Sequence, residues 1–413
     1  MFDHLFTDAQ RRARDQARAF VKDTPRELIL DMDAEKVRFP KDWLREAARR
    51  GLLGVRHPVQ WGGQGLDWVA SCAVSEEIGS LSYELACVFG VGGDLVCDAI
   101  IAHGTDEQKA RYVKPLLAGE IFAAECLTEP RGGSDFFGAT CTAEDKGDHF
   151  LLNGQKRFIV GGEGADYFLL YARTNPDRNA PPQQTISAFI VDRSPGVEVK
   201  YVYGLMGCRG GGTARLNFKD VKVPRANLLG ELHGAYPVFT TMMVPERLGT
   251  AAMTIGPARA ALDVATHYTS KRRAFGQVIN RFQGVSFQVA EAAMLLDASR
   301  AMVHSTAVAA DRPIETDRLR RLVSETKKFV TESCQKVVHN SMQVCGGIGY
   351  TNVLPIERIH RDIRLASIWT GTNEVMSMIV AHEWYREARA AIQARRYADD
   401  AAESDASDEL VYE

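Results

Sequence analysis

One carboxylate in this 413-residue chain sits in company that could make it a base. Glu246 lies in Met242-Met243-Val244-Pro245-Glu246-Arg247-Leu248, where its neighbours are apolar apart from one arginine. Taking a carboxylate out of water disfavours its charged form and lifts its pKa towards the range in which it accepts protons near neutrality. The residues alone leave a second reading open: a Glu just after a proline in a first helical turn is ordinary helix-dipole chemistry. Arg272, in Lys271-Arg272-Arg273, is either a phosphate fork or one member of a solvated basic run. Glycines gather beside polar side chains in Cys126–Asp135 (CLTEPRGGSD) and in Gln343–Tyr350 (QVCGGIGY). The eight cysteines never form CxxC and the ten histidines never form HExxH. That spacing points to buried thiols in a reducing compartment, with no disulfide frame or metal site.

Three blocks of elements must position these residues. Up to about residue 120 the chain reads as helical. Thr7 to Gln10 has capping-box spacing, Phe39-Pro40 opens a short helix that Gly51 can end, and Thr105 to Gln108 repeats the capping box before a helix that stops near Gly119. From about 122 to 225 the apolar runs are short, as in Tyr167–Tyr171 and Ile186–Val191, and they are broken by turn residues that include Asn153-Gly154. This is an all-β domain, a small barrel or a pair of sheets. Long helices follow, the first with Pro245 in its opening turn. Others are expected over about 284–310, 315–341 and 373–396, as an antiparallel four-helix bundle. The expected boundaries are 1–121, 122–238 and 239–396, with 397–413 an acidic, disordered tail.

Composition excludes several classes. Net charge is −3, with 45% apolar and 25% charged residues, so a basic nucleic-acid binder is not expected. No apolar run is read as long enough to enter a membrane, and the N-terminus lacks a signal-peptide core. Met1 directly precedes the first helix, which suits a cytoplasmic protein. The 15 residues from Asp399 contribute −7, so the remainder carries +4.

Four strings taken together resemble the acyl-CoA dehydrogenase family over about residues 5–395. They are Cys126–Asp135, Gln343–Tyr350 continuing to Asp362, Arg272-Arg273-Ala274-Phe275-Gly276 with Phe282-Gln283, and Trp369-Thr370-Gly371-Thr372-Asn373-Glu374. The resemblance implies an α+β multi-domain fold, with an N-terminal helical domain, a β-barrel-like middle domain and a C-terminal four-helix bundle. It implies FAD, an acyl-CoA substrate, a homotetramer built as a dimer of dimers, and an electron-transferring flavoprotein as electron acceptor. The family reaction is α,β-dehydrogenation: a base takes the α-proton and flavin N5 takes the β-hydride. Donors at the thioester carbonyl, a flavin ribityl hydroxyl and a backbone N–H, stabilise the enolate.

In many members the base is the Glu of a Tyr-Glu-Gly-Thr segment. Here that slot is Thr370, whose hydroxyl cannot take an α-proton near neutral pH. Isovaleryl-like and long-chain-like members carry the base on another helix, just before an Arg, and Glu246 fills that slot with Arg247 beside it as a positioning neighbour. The resemblance places Leu127, Thr128, Gly133 and Ser134 against the flavin. It puts Phe158 where a Trp usually stacks on the ring, and Val160 where a Thr often donates near N5. Arg272, Phe275 and Gln283, with Gln343, Gly346 and Gly347, would hold FAD across a subunit interface, where close approach requires glycine. Thr372 and Glu374 lie near the cofactor. Ser134, Arg247, Thr370 and Gly371 would border substrate. Glu125 stands in a commonly aromatic slot, which leaves open whether it faces the flavin or solvent. Oxidase-like and enoyl-thioester-reducing chemistries remain alternatives, and the base position leaves room for a branched or substituted acyl group.

Overall fold

The computed structural model describes residues 3–177 and 179–393. The expected acidic tail lies outside them. The N-terminal block holds α1 (Asp8–Asp23), α2 (Arg26–Asp33), α3 (Lys41–Arg49), α4 (Trp68–Leu81), α5 (Tyr83–Gly90), α6 (Cys97–His103), α7 (Asp106–Gln108) and α8 (Lys114–Leu117). Both capping boxes form: Thr7 and Thr105 each exchange side-chain and backbone bonds with the glutamine three residues on. Gly119 takes the left-handed conformation that stops the last helix (φ 75°).

A short π-helical stretch, Val91–Val96, joins α5 to α6, so Tyr83–His103 runs as one helix of 21 residues, an 18-residue window of which has a mean hydropathy of 1.9. The sequence reading found no run of that length. The helix is apolar enough to span a bilayer by composition, yet most of it is buried inside the protein. It is a core helix.

The middle block is one eight-stranded sheet in the order β6-β7-β3-β2-β4-β5-β8, with β1 added parallel to β4. The strands are β1 (Ala123–Cys126), β2 (Thr142–Asp145), β3 (His149–Ile159), β4 (Tyr167–Arg173), β5 (Ile186–Asp192), β6 (Val197–Val202), β7 (Ala214–Pro224) and β8 (Leu228–Leu229). Asn153-Gly154, expected as a turn, lies inside the continuous β3. The register shifts against β7 at this point, and the Asn153 amide exchanges bonds with Asp220, whose N–H donates at 2.9 Å. Gly154 is required because a Cβ there would meet the Cys141 backbone at 2.7 Å. A bulge has used the residues that often make a hairpin.

The sheet has two differently packed faces. Ala124, Cys126, Phe168 and Leu170 fill the interior of the β domain. Ala123, Leu169 and Tyr171 join the core shared with the helices.

The C-terminal block contains α9 (Ala235–Lys271), α10 (Gln283–Ala310), α11 (Thr316–Cys345), α12 (Ile356–Ile363) and α13 (Asn373–Gln393). A two-stranded ribbon, β9 (Arg273–Ala274) with β10 (Gln277–Val278), links α9 to α10. The helix α9 begins at Ala235, ten residues before Pro245, which is therefore interior, as is Pro257. Proline has no N–H, so the helix loses bonds at both points. Neighbouring elements hold it straight enough to continue.

The tightest of those contacts is with α4. A Cβ on Gly79 would lie 2.2 Å from the Met253 carbonyl oxygen, and one on Gly256 would lie 2.3 Å from the Glu76 oxygen. Backbone meets backbone at this crossing. Arg259 then binds Glu76 at 3.0 Å and Glu77 at 2.7 Å, and Arg300 binds Glu76 at 2.8 Å. Gly256→Ala should force the helices apart and cost about 3 kcal/mol, the upper end for overpacking, read as a lowered denaturation midpoint. Gly249→Ala on the same helix, with open space around the new methyl, should leave the midpoint nearly unchanged.

Candidate active site

Glu246 and Thr250 are four residues apart on α9 and so share one face. The Thr250 hydroxyl donates to the Thr370 hydroxyl at 3.2 Å. The two positions at which the base is expected in this fold, 246 and 370, therefore border one space. Thr370 and Gly371 both take left-handed conformations (φ 55° and 80°). This turn brings the Gly371 carbonyl to the Lys327 ammonium, which donates to it at 2.8 Å and to Asn373 Oδ1 at 2.9 Å.

Lys327 has no solvent exposure. Arg247 is buried as well; it donates to Ser324 Oγ on α11 and to Met243 Sδ, each at 3.0 Å. Glu246 keeps a small opening to solvent. Burial pushes its carboxyl up to about 7, while the charges of Arg247 and Lys327 pull the other way. Burial likewise brings Lys327 down to about 8, against the pull of Glu246. One carboxylate and two cations thus make a small, dry charge cluster with a proton acceptor tuned near neutrality. The position of Glu246 also answers the helix-dipole reading: it lies more than two turns inside α9, away from the helix N-terminus.

The loop after β1 is fixed by a second buried pair. Lys156 donates to Glu129 Oε1 at 2.9 Å and to the Leu127 carbonyl at 3.1 Å. Glu129 also accepts the Thr140 N–H and hydroxyl, each at 2.6 Å, and the Cys141 N–H at 3.0 Å. A buried charge pair with its remaining valences filled holds one geometry. It leaves Thr128 half-buried, with its carbonyl bonded to the Arg157 N–H at 2.8 Å, and Ser134 exposed. A Cβ on Gly133 would press on the Thr128 hydroxyl at 2.9 Å. Phe158 ends β3 in a left-handed conformation (φ 56°), 46% exposed, with Tyr203 on one side at 4.6 Å. Val160 packs against the shared core.

The remaining candidates fall elsewhere. Arg272, Phe275 and Gln283 surround the β9–β10 ribbon, and Gln343, Gly346 and Gly347 end α11; all six are exposed. Arg272, the C-cap of α9, lies 26 positions after Glu246, about 39 Å along the helix. At Gly346 and Gly347 an added Cβ meets nothing of this chain's described residues within 4 Å, so the open space expected for a cofactor and a neighbouring copy is present there. Gly346 is needed for its left-handed φ of 64° at the end of α11. Thr372 caps α13 by accepting the Val375 N–H at 3.3 Å, and Glu374 is exposed in its first turn.

Comparison with known proteins assigns this geometry. Residues 7–120, 124–221 and 234–384 match, in order, the N-terminal, middle and C-terminal domains of acyl-CoA dehydrogenase. The chain belongs to the acyl-CoA dehydrogenase family. A 3-(aryl)acrylate reductase of Clostridium sporogenes is 33% identical over 378 residues, covering 91% of this chain and 98% of that protein. A caffeyl-CoA reductase-Etf complex subunit of Acetobacterium woodii is 33% identical over 380 residues, with the same coverage. The solved butyryl-CoA dehydrogenase of Megasphaera elsdenii superposes with a TM-score of 0.87 at 28% identity, over 92% of this chain and 99% of that one.

As a member of this family the protein is an FAD-dependent oxidoreductase, and its residues fit the cofactor. The half-exposed Phe158 ring can meet a flavin. The uncapped hydroxyl of Ser134 and the exposed guanidinium of Arg272, which has no carboxylate partner among the described residues, suit phosphate and ring polar groups.

Sequence reasoning missed Lys327, although a lysine in the apolar series Val323, Lys327, Val330, Cys334 is a visible signal. It also missed the Glu129–Lys156 pair: Glu129 stands inside the Cys126–Asp135 string, but its partner lies 27 residues on and nothing local marks it. Spacing hid one further cluster: Glu84, Cys87 and Cys208 bring their ligand atoms within 4.8 Å of one another. Burial keeps the Glu84 carboxyl and the Cys87 thiol towards their protonated forms, and at Cys208 the hydrogen bond with Cys87 leads the same shift, with burial adding to it.

A base with a pKa of about 7 loses activity as pH falls through that value, so kcat/KM should show an acidic limb there. Lys327→Met removes a cation that lowers the Glu246 pKa. The limb should move upward by about one pH unit, which a pH–rate profile of the holoenzyme will show.

Proposed function

We propose that the protein dehydrogenates an acyl-CoA thioester across its Cα–Cβ bond, with Glu246 as the base that takes the α-proton. The carrying observation is the buried carboxyl near pKa 7 on the α9 face that meets Thr370. Bound FAD supplies the acceptor for the β-hydride. The protein's own residues do the rest. Glu246 faces the proton, Arg247 and Lys327 keep its carboxylate accessible in a dry site, and the Glu129–Lys156 pair fixes the loop of Thr128 and Ser134. Replacing the usual carboxylate by Thr370 empties one base position while filling the other.

The direction of turnover is a second part of the reading. A group half-protonated near neutrality can return a proton to Cα as well as remove one. Two of the compared relatives are named as reductases of unsaturated acyl groups, so enoyl-thioester reduction is the alternative we retain. A branched or substituted acyl group fits a base on α9, and the name of the Acetobacterium relative supports an electron-transferring flavoprotein as redox partner.

The proposed assembly is a homotetramer. Phe275 is 95% and Tyr350 84% exposed, more than an isolated surface needs. With Arg272 about 39 Å from Glu246 along one helix, a cofactor held by both would take Arg272 from a neighbouring copy.

Glu246→Gln should keep its yellow flavin and lose anaerobic bleaching by acyl-CoA by at least about a hundredfold, the scale of general-base catalysis. Bleaching at the wild-type rate would remove Glu246 from the mechanism.

A further inference from the structure

Glu125 has no role in the chemistry described so far, yet its surroundings are specific. In β1 the side chains alternate: Ala124 and Cys126 enter the β-domain interior, while Ala123 joins the core shared with the helices. By that period of two, Glu125 points with Ala123 towards the helices. It pairs with Leu169 on β4, and Leu169 and Tyr171 lie on the same helix-facing side. Tyr171 donates to Met242 Sδ at 3.1 Å, one turn of α9 before Glu246. Burial lifts the Tyr171 phenol, and the carboxyls of both Glu125 and Glu246 add to that lift, so all three groups share one neighbourhood. Phe136 stacks on Phe239 at 4.1 Å and sits against Tyr171 at 5.3 Å, which makes the adjoining wall aromatic.

Within this wall one oxygen of Glu125 is buried and has no hydrogen-bond partner among the described residues. A buried polar atom left bare costs about 1–3 kcal/mol. Lys156, which also influences Glu125, is already committed to Glu129 and the Leu127 carbonyl. Glu125 therefore holds one carboxyl oxygen for which the described residues supply no partner, on the helix-facing side of the sheet with Tyr171 and close to Glu246.

We propose that Glu125 is a specificity-determining residue whose carboxyl hydrogen-bonds a hydroxyl carried by the acyl group beyond its reacting carbons. The preferred thioesters are then hydroxylated acyl-CoAs rather than plain alkyl or aryl ones. This rests on the dehydrogenase reading of the site. A hydroxyl suits the carboxyl in either protonation state: it donates to the ionised form, which only accepts, and it can also accept from the protonated form. A site built to bond a substrate hydroxyl also discriminates against the analogue that lacks it, since its own polar group is then stranded.

The test compares matched thioesters: phenylpropanoyl-CoA against its para-hydroxy derivative, and hexanoyl-CoA against its terminal hydroxy derivative. kcat/KM for anaerobic flavin bleaching is measured for the wild type, Glu125→Leu, Glu125→Met and Glu125→Gln holoenzymes, with flavin content as the folding control. The wild type should favour the hydroxylated member of at least one pair by about tenfold, one neutral hydrogen bond's worth. Both apolar variants should bring that ratio to one or below, by slowing the hydroxylated substrate and relieving the plain one of a stranded carboxyl. Glu125→Gln, which still bonds a hydroxyl, should retain part of it. If Glu125→Leu loses its flavin, Glu125→Met carries the comparison. Equal or greater efficiency with the plain thioesters, at ratios that the apolar variants leave alone, overturns the role of Glu125 while the dehydrogenase reading stands. A wild-type flavin that no thioester bleaches overturns both.

Discussion

A carboxylate that must pull a proton from carbon has to be dry enough to be basic and charged enough to act. Those demands conflict, and in the role proposed for Glu246 its surroundings balance them. Burial raises its pKa, and two buried cations restrain the rise. Each cation in turn needs its own support. Arg247 takes Ser324 from α11, and Lys327 takes the Gly371 carbonyl and Asn373. The electrostatics of one proton acceptor thus tie α9, α11 and the turn before α13 into a single unit.

That unit depends on the long helix α9 keeping its place despite two internal prolines. Its position comes from backbone contact with α4 at Gly79 and Gly256 and from the arginine–glutamate pairs beside them. Small residues allow the approach, and opposite charges fix its register. The sheet contributes the other half of the proposed site through the loop after β1, where the buried Glu129–Lys156 pair does for Thr128 and Ser134 what the α4 crossing does for Glu246.

Much of this was legible in the sequence where signals were local. Both capping boxes, the glycine stop at 119 and the strands Tyr167–Arg173 and Ile186–Asp192 follow from residue types within a few positions. Pro245 misled because a proline marks a helix start only when tertiary contacts do not carry the helix through it. Asn153-Gly154 misled because a bulge and a hairpin draw on the same residues. The membrane-length helix was overlooked because its interruptions, Gly92, Gly93 and Asp94, read as breaks in the sequence and pack as a π-turn in the fold. For the site, Glu246 was visible through its neighbours and the family slot. Lys327, Lys156 and Glu129 were not, since their partners lie far along the chain and only packing unites them.

The apolar helix Tyr83–His103 has a consequence for how the chain is made. Its cover comes partly from α9: His103 bonds Thr241 at 2.7 Å, and Tyr83 receives the Thr254 hydroxyl at 3.3 Å. Those residues are synthesised more than 130 positions later, after the whole β domain. At about 5–20 residues per second, the most greasy stretch of the protein spends several seconds without its lid. The order of domains along the chain therefore sets a window in which this helix lacks its native cover, and it closes only when the helix that carries Glu246 arrives.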